Sequence, residues 1–275
     1  MPELPEVEVT RMGLAPSVEG RRIEDVRIRT PRLRSPLAGL REHLCGRIVE
    51  RLERRGKYLI WRCRDECACT GFLVTHLGMS GRWRIWPLPA PEPGPHDHVD
   101  LVFSDCLVRL TDARRFGDMR WFDDDPGRHP PLNALGPEPL DAALTPGAFA
   151  RRLRAHRAPV KEVLMAGRVI AGCGNIYACE SLFEAGIHPA RAASRISEAR
   201  CERLLAAVRA VLERAIAAGG STLRDFHGVS GENGYFALEA GVYGREGRPC
   251  PRCGAPIARI VQAGRSTYYC PHCQR

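Results

Sequence analysis

Apolar and polar residues keep two different rhythms in the two halves of this chain. From Arg22 to Phe122 the apolar residues come in short β-branched or aromatic runs that partly alternate. They are Arg47-Ile-Val-Glu-Arg-Leu, Lys57-Tyr-Leu-Ile-Trp-Arg, Phe72-Leu-Val-Thr, Arg82-Trp-Arg-Ile-Trp and Val99-Asp-Leu-Val-Phe. Alternation sends successive side chains to opposite faces, so each run reads as a strand with one face toward a core. Glycines at 46, 56, 71, 78 and 81 punctuate the runs, and several short strands at this spacing predict a β-sandwich. Ahead of them, Pro5 to about Leu14 predicts a short helix, entered through a proline with acid in its first turn and stopped at Pro16. Pro87 to Pro95 reads as a proline-rich surface loop.

After Thr145 the period becomes helical. Leu204, Leu205, Val208, Val211, Leu212, Ala215 and Ile216 form one apolar stripe over Ser197–Ala218, with Ser197 as its cap and Gly219-Gly220 as its stop. Upstream, Lys161-Glu-Val-Leu-Met predicts a helix, Gly167 to Gly174 a turn, and Asn175-Ile-Tyr-Ala-Cys-Glu-Ser-Leu-Phe a second helix. Asp123 to Pro146 has no periodicity and reads as the interdomain connection. The expected architecture is α+β: a β-sandwich with a flanking N-terminal helix over 1–130, a helical domain over 131–240, and a small C-terminal module over 241–275. A domain junction is a common place for a ligand cleft, and the site is expected there.

Charge separates the halves further. Residues 1–150 carry 22 basic and 22 acidic side chains, whereas residues 151–275 carry 19 and 10, which is the whole net charge of +9. A basic half joined to a neutral one suits attraction of a polyanion, and a solvated basic surface is the plainer alternative. Only two of the 41 basic residues are lysines, Lys57 and Lys161, which hints that a compact amine is needed at those positions. No apolar run reaches the length of a membrane span, and the proline-bearing, acidic N-terminus has no signal-peptide pattern, so a cytoplasmic protein is expected.

Twelve cysteines in such a chain do not read as a disulfide framework. Cys250-Pro-Arg-Cys253, sixteen residues, then Cys270-Pro-His-Cys273 has the spacing of a four-thiolate zinc site. Four thiolates leave no open coordination position, so one structural zinc ion per chain is expected. His96-Asp97-His98 has no further ligand rhythm and makes a poor metal site.

The N-terminal Met1-Pro2-Glu3-Leu4-Pro5-Glu6 admits a sharper reading. Removal of Met1 would leave Pro2 with a terminal secondary amine, and such amines titrate near pH 8, well below lysine. A neutral amine can attack a sugar's anomeric carbon and hold it as an iminium, with Glu3 and Glu6 at hand to move protons. A proline that merely follows Met1, with Pro5 opening a helix, fits those six residues equally well.

Six stretches, taken together, resemble the formamidopyrimidine-DNA glycosylase family: this N-terminus, Gly56-Lys57-Tyr58-Leu59, His76-Leu77-Gly78-Met79-Ser80-Gly81, Arg114-Arg115-Phe116-Gly117, Gly174-Asn175-Ile176-Tyr177, and the cysteine module. The resemblance implies a helix-two-turn-helix domain around Lys161 and Asn175, a zinc finger, damaged double-stranded DNA as partner, and a monomeric base-excision-repair glycosylase and lyase. It implies Pro2 as nucleophile, Glu3 as acid, and Glu6, Lys57 and Arg265 as further catalytic groups. Met79, Arg114 and Phe116 would fill the gap left by an extruded nucleotide, and His76, His96, His156, Lys161, Asn175 and Tyr177 would contact DNA. A loop over about 219–236, with glycines at 228, 231 and 234, would close over the flipped base. Met165-Ala166-Gly167 departs from the family's usual Met-Asp-Gln. The endonuclease VIII branch, specific for oxidised pyrimidines, is the sister alternative; Leu4 stands where that branch has glycine. A zinc-finger DNA-binding protein without activity is the other.

Overall fold

The computed structural model of the chain describes residues 1–220, residue 229 and residues 240–275. It divides into two compact units, Met1–Asn133 with Gly219–Tyr235, and Ala134–Ala218 with Phe236–Arg275. The lid expected over 219–236 lies, apart from Gly219, Gly220 and Val229, outside the described residues.

In the first unit, helix α1 (Leu4–Val18) opens with a reciprocal capping box. The Glu3 carboxylate accepts the Glu6 backbone N–H, and Glu6 Oε2 accepts the Glu3 N–H at 2.7 Å. The helix does not stop at Pro16 but runs through it to Val18. Proline there forgoes one backbone bond, yet continuing the turn seats Val18 beside Leu14 in the core, both at 0% exposure.

Two antiparallel four-stranded sheets follow. One has the order β1 (Asp25–Ile28), β6 (Asp97–Val102), β7 (Cys106–Thr111), β5 (Arg82–Pro87); the other β2 (Ile48–Arg55), β3 (Tyr58–Arg64), β4 (Thr70–His76), β8 (Asp118–Phe122). Helix α2 (Leu40–Leu44) lies between β1 and β2 in the chain. The core includes Trp61 of one sheet and Trp83 of the other, edge-on with ring centroids 5.6 Å apart. The sandwich is thus as predicted. Two of its strands, β7 and β8, carry no clear alternation; β7 is buried from Cys106 to Leu110 and contains Arg109. That arginine is tolerated because Asp100, on the neighbouring β6 and wholly buried, accepts its Nε and Nη2 at 2.8 and 3.0 Å.

The second unit is helical. Its helices are α3 (Pro146–Arg154), α4 (Val160–Met165), α5 (Asn175–Glu184) and α6 (Glu198–Ala217). Every residue of α5 from Ile176 to Phe183 is buried, which makes it the central helix of this unit. Ser197 occupies the cap position of α6 in an extended conformation but makes no side-chain capping bond, contrary to expectation; Glu198 supplies acid in the first turn instead. The hairpin of β9 (Ala258–Gln262) and β10 (Arg265–Tyr269) ends the unit. Among the described residues, no helix is long and apolar enough to cross a membrane.

Candidate functional site

Pro2 lies buried at the start of α1, one residue ahead of the Glu3 cap, while Met1 is 44% exposed. The positive end of the helix dipole faces this position and disfavours a protonated amine there. Glu3 and Glu6 are 3% and 2% exposed, and the capping box fixes both carboxylates relative to Pro2. Glu6 therefore has a local structural task besides any part in proton transfer. Arg54 on β2 holds the helix to the sheet through Glu8, at 2.8 Å. Burial opposes ionisation of Glu8, but hydrogen bonds from Arg11 and Arg54 keep its carboxyl below the ordinary value.

Gly56 and Lys57 form the two-residue turn between β2 and β3, where Arg55 pairs with Tyr58 and Gly56 takes φ +57°. Lys57 is half-buried at the strand entry. Beside it, the His76 imidazole is pushed down to about 4, first by burial and then by the Lys57 charge. His76 is accordingly neutral at physiological pH. Its Nδ1 accepts the Gly78 N–H at 2.9 Å, which leaves the proton on Nε2 as a donor.

The turn after β4 and the loop after β7 come together. Gly78 has φ +62°, and a Cβ on it would stand 2.3 Å from the Phe116 carbonyl carbon. This close approach sets Met79, 38% exposed, beside Phe116, 47% exposed. The Arg114 guanidinium lies 5.0 Å over the Phe116 ring. The three residues expected to fill a void are thus on adjoining loops of one unit. His96 is exposed, and its carbonyl accepts the Asp112 N–H at 2.9 Å. Asp112 is wholly buried beneath these loops.

In the second unit, Asn175 is the first residue of α5 and not its cap, which is Gly174. The side chain does no capping. Its Nδ2 donates to the Ser266 carbonyl at 3.0 Å, while its buried Oδ1 has no hydrogen-bond partner among the described residues. The helix start leaves backbone N–H groups for an anion. Lys161 is 1% exposed, and its ammonium donates to Thr267 Oγ1 at 2.5 Å and to the Ser266 carbonyl at 3.3 Å. It ties α4 to the β10 strand. Tyr177, in the first turn of α5, is wholly buried. His156 is exposed just after α3.

Arg265 is exposed and begins β10, directly after the turn. Ala263 and Gly264 make that turn, both with positive φ, and they match the twist of the hairpin. Arg265 and Lys161 line one cavity of about 110 Å³. Glu180, unnoticed in the sequence because its partners lie some sixty residues away, anchors the approach to the finger. Its buried carboxylate accepts the backbone N–H groups of Gly241, Val242 and Tyr243 at 2.8, 3.0 and 2.7 Å.

The four cysteine sulfurs of Cys250, Cys253, Cys270 and Cys273 lie within 4.8 Å of one another. Two of the separations are 3.9 and 3.5 Å. A tetrahedron with Zn–S of about 2.3 Å has edges of about 3.8 Å, so the cluster fits one zinc ion. The backbone N–H groups of Arg252 and Cys273 point at the Cys250 and Cys270 sulfurs, at 3.4 Å each, as befits thiolates. Zinc here would join the two knuckles and seat the hairpin that carries Arg265.

A β-sandwich bearing a buried proline at position 2 and two abutting loops, followed by a basic helical unit with a four-cysteine finger, defines a zinc-finger protein equipped to grip a polyanion. The sequence matches the formamidopyrimidine-DNA glycosylase N-terminal domain over residues 1–119. It matches the H2TH domain of the same glycosylases over 135–227 and the zinc finger found in FPG and IleRS over 247–275. A formamidopyrimidine-DNA glycosylase of Burkholderia pseudomallei (strain K96243) is 53% identical, with all of both chains covered. One of Cupriavidus pinatubonensis is 52% identical at the same coverage. Among solved structures, the MutM (Fpg) protein of Thermus thermophilus has a TM-score of 0.88 at 41% identity, covering 99% of this chain and 98% of that one. A Lactococcus lactis Fpg variant in complex with Fapy-dG containing DNA has a TM-score of 0.91 at 34% identity, covering all of both chains. The chain belongs to the formamidopyrimidine-DNA glycosylase family.

Proposed function

We propose that this protein excises oxidised purines, 8-oxoguanine and formamidopyrimidines, from duplex DNA and then nicks the strand, acting as a monomer in the cytoplasm. The observation that carries the reading is the N-terminus itself: Pro2 buried at the head of α1, flanked by two carboxylates that the capping box holds in place. Lactococcus Fpg with Fapy-dG containing DNA, and MutM with carbocyclic 8-oxo-G containing DNA at a TM-score of 0.88, support the choice of substrate.

Removal of Met1 frees the Pro2 nitrogen. Its lone pair forms a bond to C1′ of the damaged nucleotide, the C1′–N bond breaks, and the base departs with the bonding pair and takes up the proton that the Pro2 nitrogen releases. Glu3 supplies a proton to the opening sugar, and Glu6 holds Glu3 in register. The resulting iminium acidifies C2′; loss of that proton expels the 3′ phosphate, and a second elimination expels the 5′ phosphate. Lys57, at its hairpin turn, binds a phosphate beside the lesion and assists elimination. Neutral His76 offers its Nε2–H nearby. Arg265 and the start of α5 at Asn175 hold further phosphates, a grip that weakens with salt. Met79, Arg114 and Phe116 occupy the vacated stack, with Arg114 reading the orphaned base. Lys161 and Tyr177 support this surface from beneath.

Borohydride trapping tests the reading. Processed wild type mixed with a duplex holding 8-oxoguanine opposite cytosine is expected to give a covalent protein–DNA band, lost in Pro2→Gly and in chain that retains Met1. A band from the Met1-retaining chain would sink the assignment of the nucleophile. A band only with an oxidised pyrimidine would move the substrate to the sister branch.

A further inference from the structure

Three residues that enter DNA together need their loops to move as one body, and here a single buried side chain joins those loops. The Asp112 carboxylate, 0% exposed, is held by a hydroxyl and two backbone amides. Its Oδ1 accepts Ser80 Oγ at 2.6 Å and the Arg114 N–H at 3.2 Å, while Oδ2 accepts the Gly117 N–H at 2.7 Å. Ser80 Oγ in turn accepts the Arg114 N–H at 3.1 Å, which closes the bridge between the two loops. The Asp112 main chain adds two more ties. Its N–H donates to the His96 carbonyl, and its carbonyl accepts His98 Nε2, each at 2.9 Å.

We propose that Asp112, through Ser80, is a positioning residue that locks the Met79 turn and the Arg114–Phe116 loop into one preformed wedge, so that duplex opening and reading of the opposite base depend on it. The proposal rests on the wedge role given above to Met79, Arg114 and Phe116.

Backbone geometry gives the bridge its purpose. Arg115 sits between two wedge residues at φ +56°, a left-handed conformation that a side-chain-bearing residue holds only when its surroundings fix it. The bonds to Arg114 and Gly117 bracket that residue on both sides. Against the other loop, Gly78 meets the Phe116–Gly117 peptide at 2.3 to 2.5 Å from where a Cβ would be, so the two backbones abut directly. A wedge assembled in advance loses no further conformational freedom on entering the stack, whereas three independently mobile side chains would.

The experiment compares Ser80→Ala and Asp112→Asn with wild type on three substrates. These are a duplex with 8-oxoguanine opposite cytosine, the same lesion opposite adenine, and a single-stranded oligonucleotide with an abasic site, which needs no wedge. Ser80→Ala removes the hydroxyl bridge at little risk to folding. Asp112→Asn places an amide donor against at least one donor that the carboxylate accepted. Each is expected to lower kcat/KM on the cytosine duplex by about tenfold, the equivalent of one or two lost hydrogen bonds. Each is also expected to compress the ratio of rates opposite cytosine and adenine, while elimination on the single strand stays within about twofold. The double variant should lose little more than the worse single one, because both act on one bridge. Equal losses on duplex and single strand would mean a general structural defect and overturn the proposal, as would an unchanged opposite-base ratio in both variants. If Arg114→Ala also leaves that ratio unchanged, the wedge reading itself fails.

Discussion

Asn in place of Asp100 is expected to cost the first unit about 3 kcal/mol. Asp100 is wholly buried, and its side chain receives two bonds from Arg109 and a third from Arg29 at 2.5 Å. Removing one partner of a buried pair costs about 3–5 kcal/mol, since the other charge stays uncompensated. The low end applies here for two reasons. Arg29 is 26% exposed and can turn to water, and Arg109 keeps the Pro91 carbonyl at 2.9 Å and Asp97 at 3.7 Å. Set against a typical total of about 5–15 kcal/mol, this is a large fraction. Urea denaturation at pH 7 should show the midpoint falling with an unchanged slope. Replacing Asp100 and Arg109 together by leucines, which leaves only the partly exposed Arg29 charge, should recover most of the loss. The pH dependence provides a second reading. Burial raises the Asp100 carboxyl, but the hydrogen bonds of Arg109 and Arg29 outweigh it and hold the carboxyl below its ordinary value. The stabilisation is therefore complete above the unfolded value of about 4 and is lost as pH falls through the lower, folded one. Wild type and variant should converge in acid. A loss under about 1 kcal/mol at pH 7, or a gap that does not narrow on acidification, would refute the argument.

Gly78→Ala should destabilise the protein by about 1–3 kcal/mol, because φ +62° disfavours a side chain and the Phe116 backbone leaves no room for one. Cleavage of lesion duplex should fall more than cleavage of single-stranded abasic DNA; equal loss of both would count against the close approach as the cause. His76, lowered to about 4, binds no proton in the folded state until well below its unfolded value of 6.5. Its neutral burial contributes stability present above pH 6.5 and lost as pH falls toward 4. A ring-carbon NMR titration should show no His76 transition between about pH 6 and 8; a transition there would contradict the burial argument.

Strands with one wet face were legible in the sequence because alternation reports a half-buried surface, as at Tyr58-Leu-Ile-Trp. Strand β7 was not, since both its faces are covered and Arg109 interrupts the apolar run, its charge balanced by a residue nine positions away that periodicity does not register. The helix end at Pro16 was misplaced because local propensity says nothing of the core waiting for Val18. The zinc ligands could be read from spacing, as all the geometry they need is local to two knuckles. Resemblance marks Lys161 and Tyr177 as belonging to the site, while their burial, at 1% and 0% exposure, depends on packing that a linear reading does not carry. Asp112 and Glu180 went unassigned for a related reason. Their importance lies in partners 32 and about sixty residues distant, which a linear reading does not bring together.

The three-pronged bond of Glu180 has a mechanical consequence. It clasps the main chain at Gly241, Val242 and Tyr243, immediately ahead of the finger, as a strain relief clasps a cable where it enters a plug. A pull along the chain from before Ala240 meets these three bonds to α5 before it meets the thiolate cluster or the hairpin behind it.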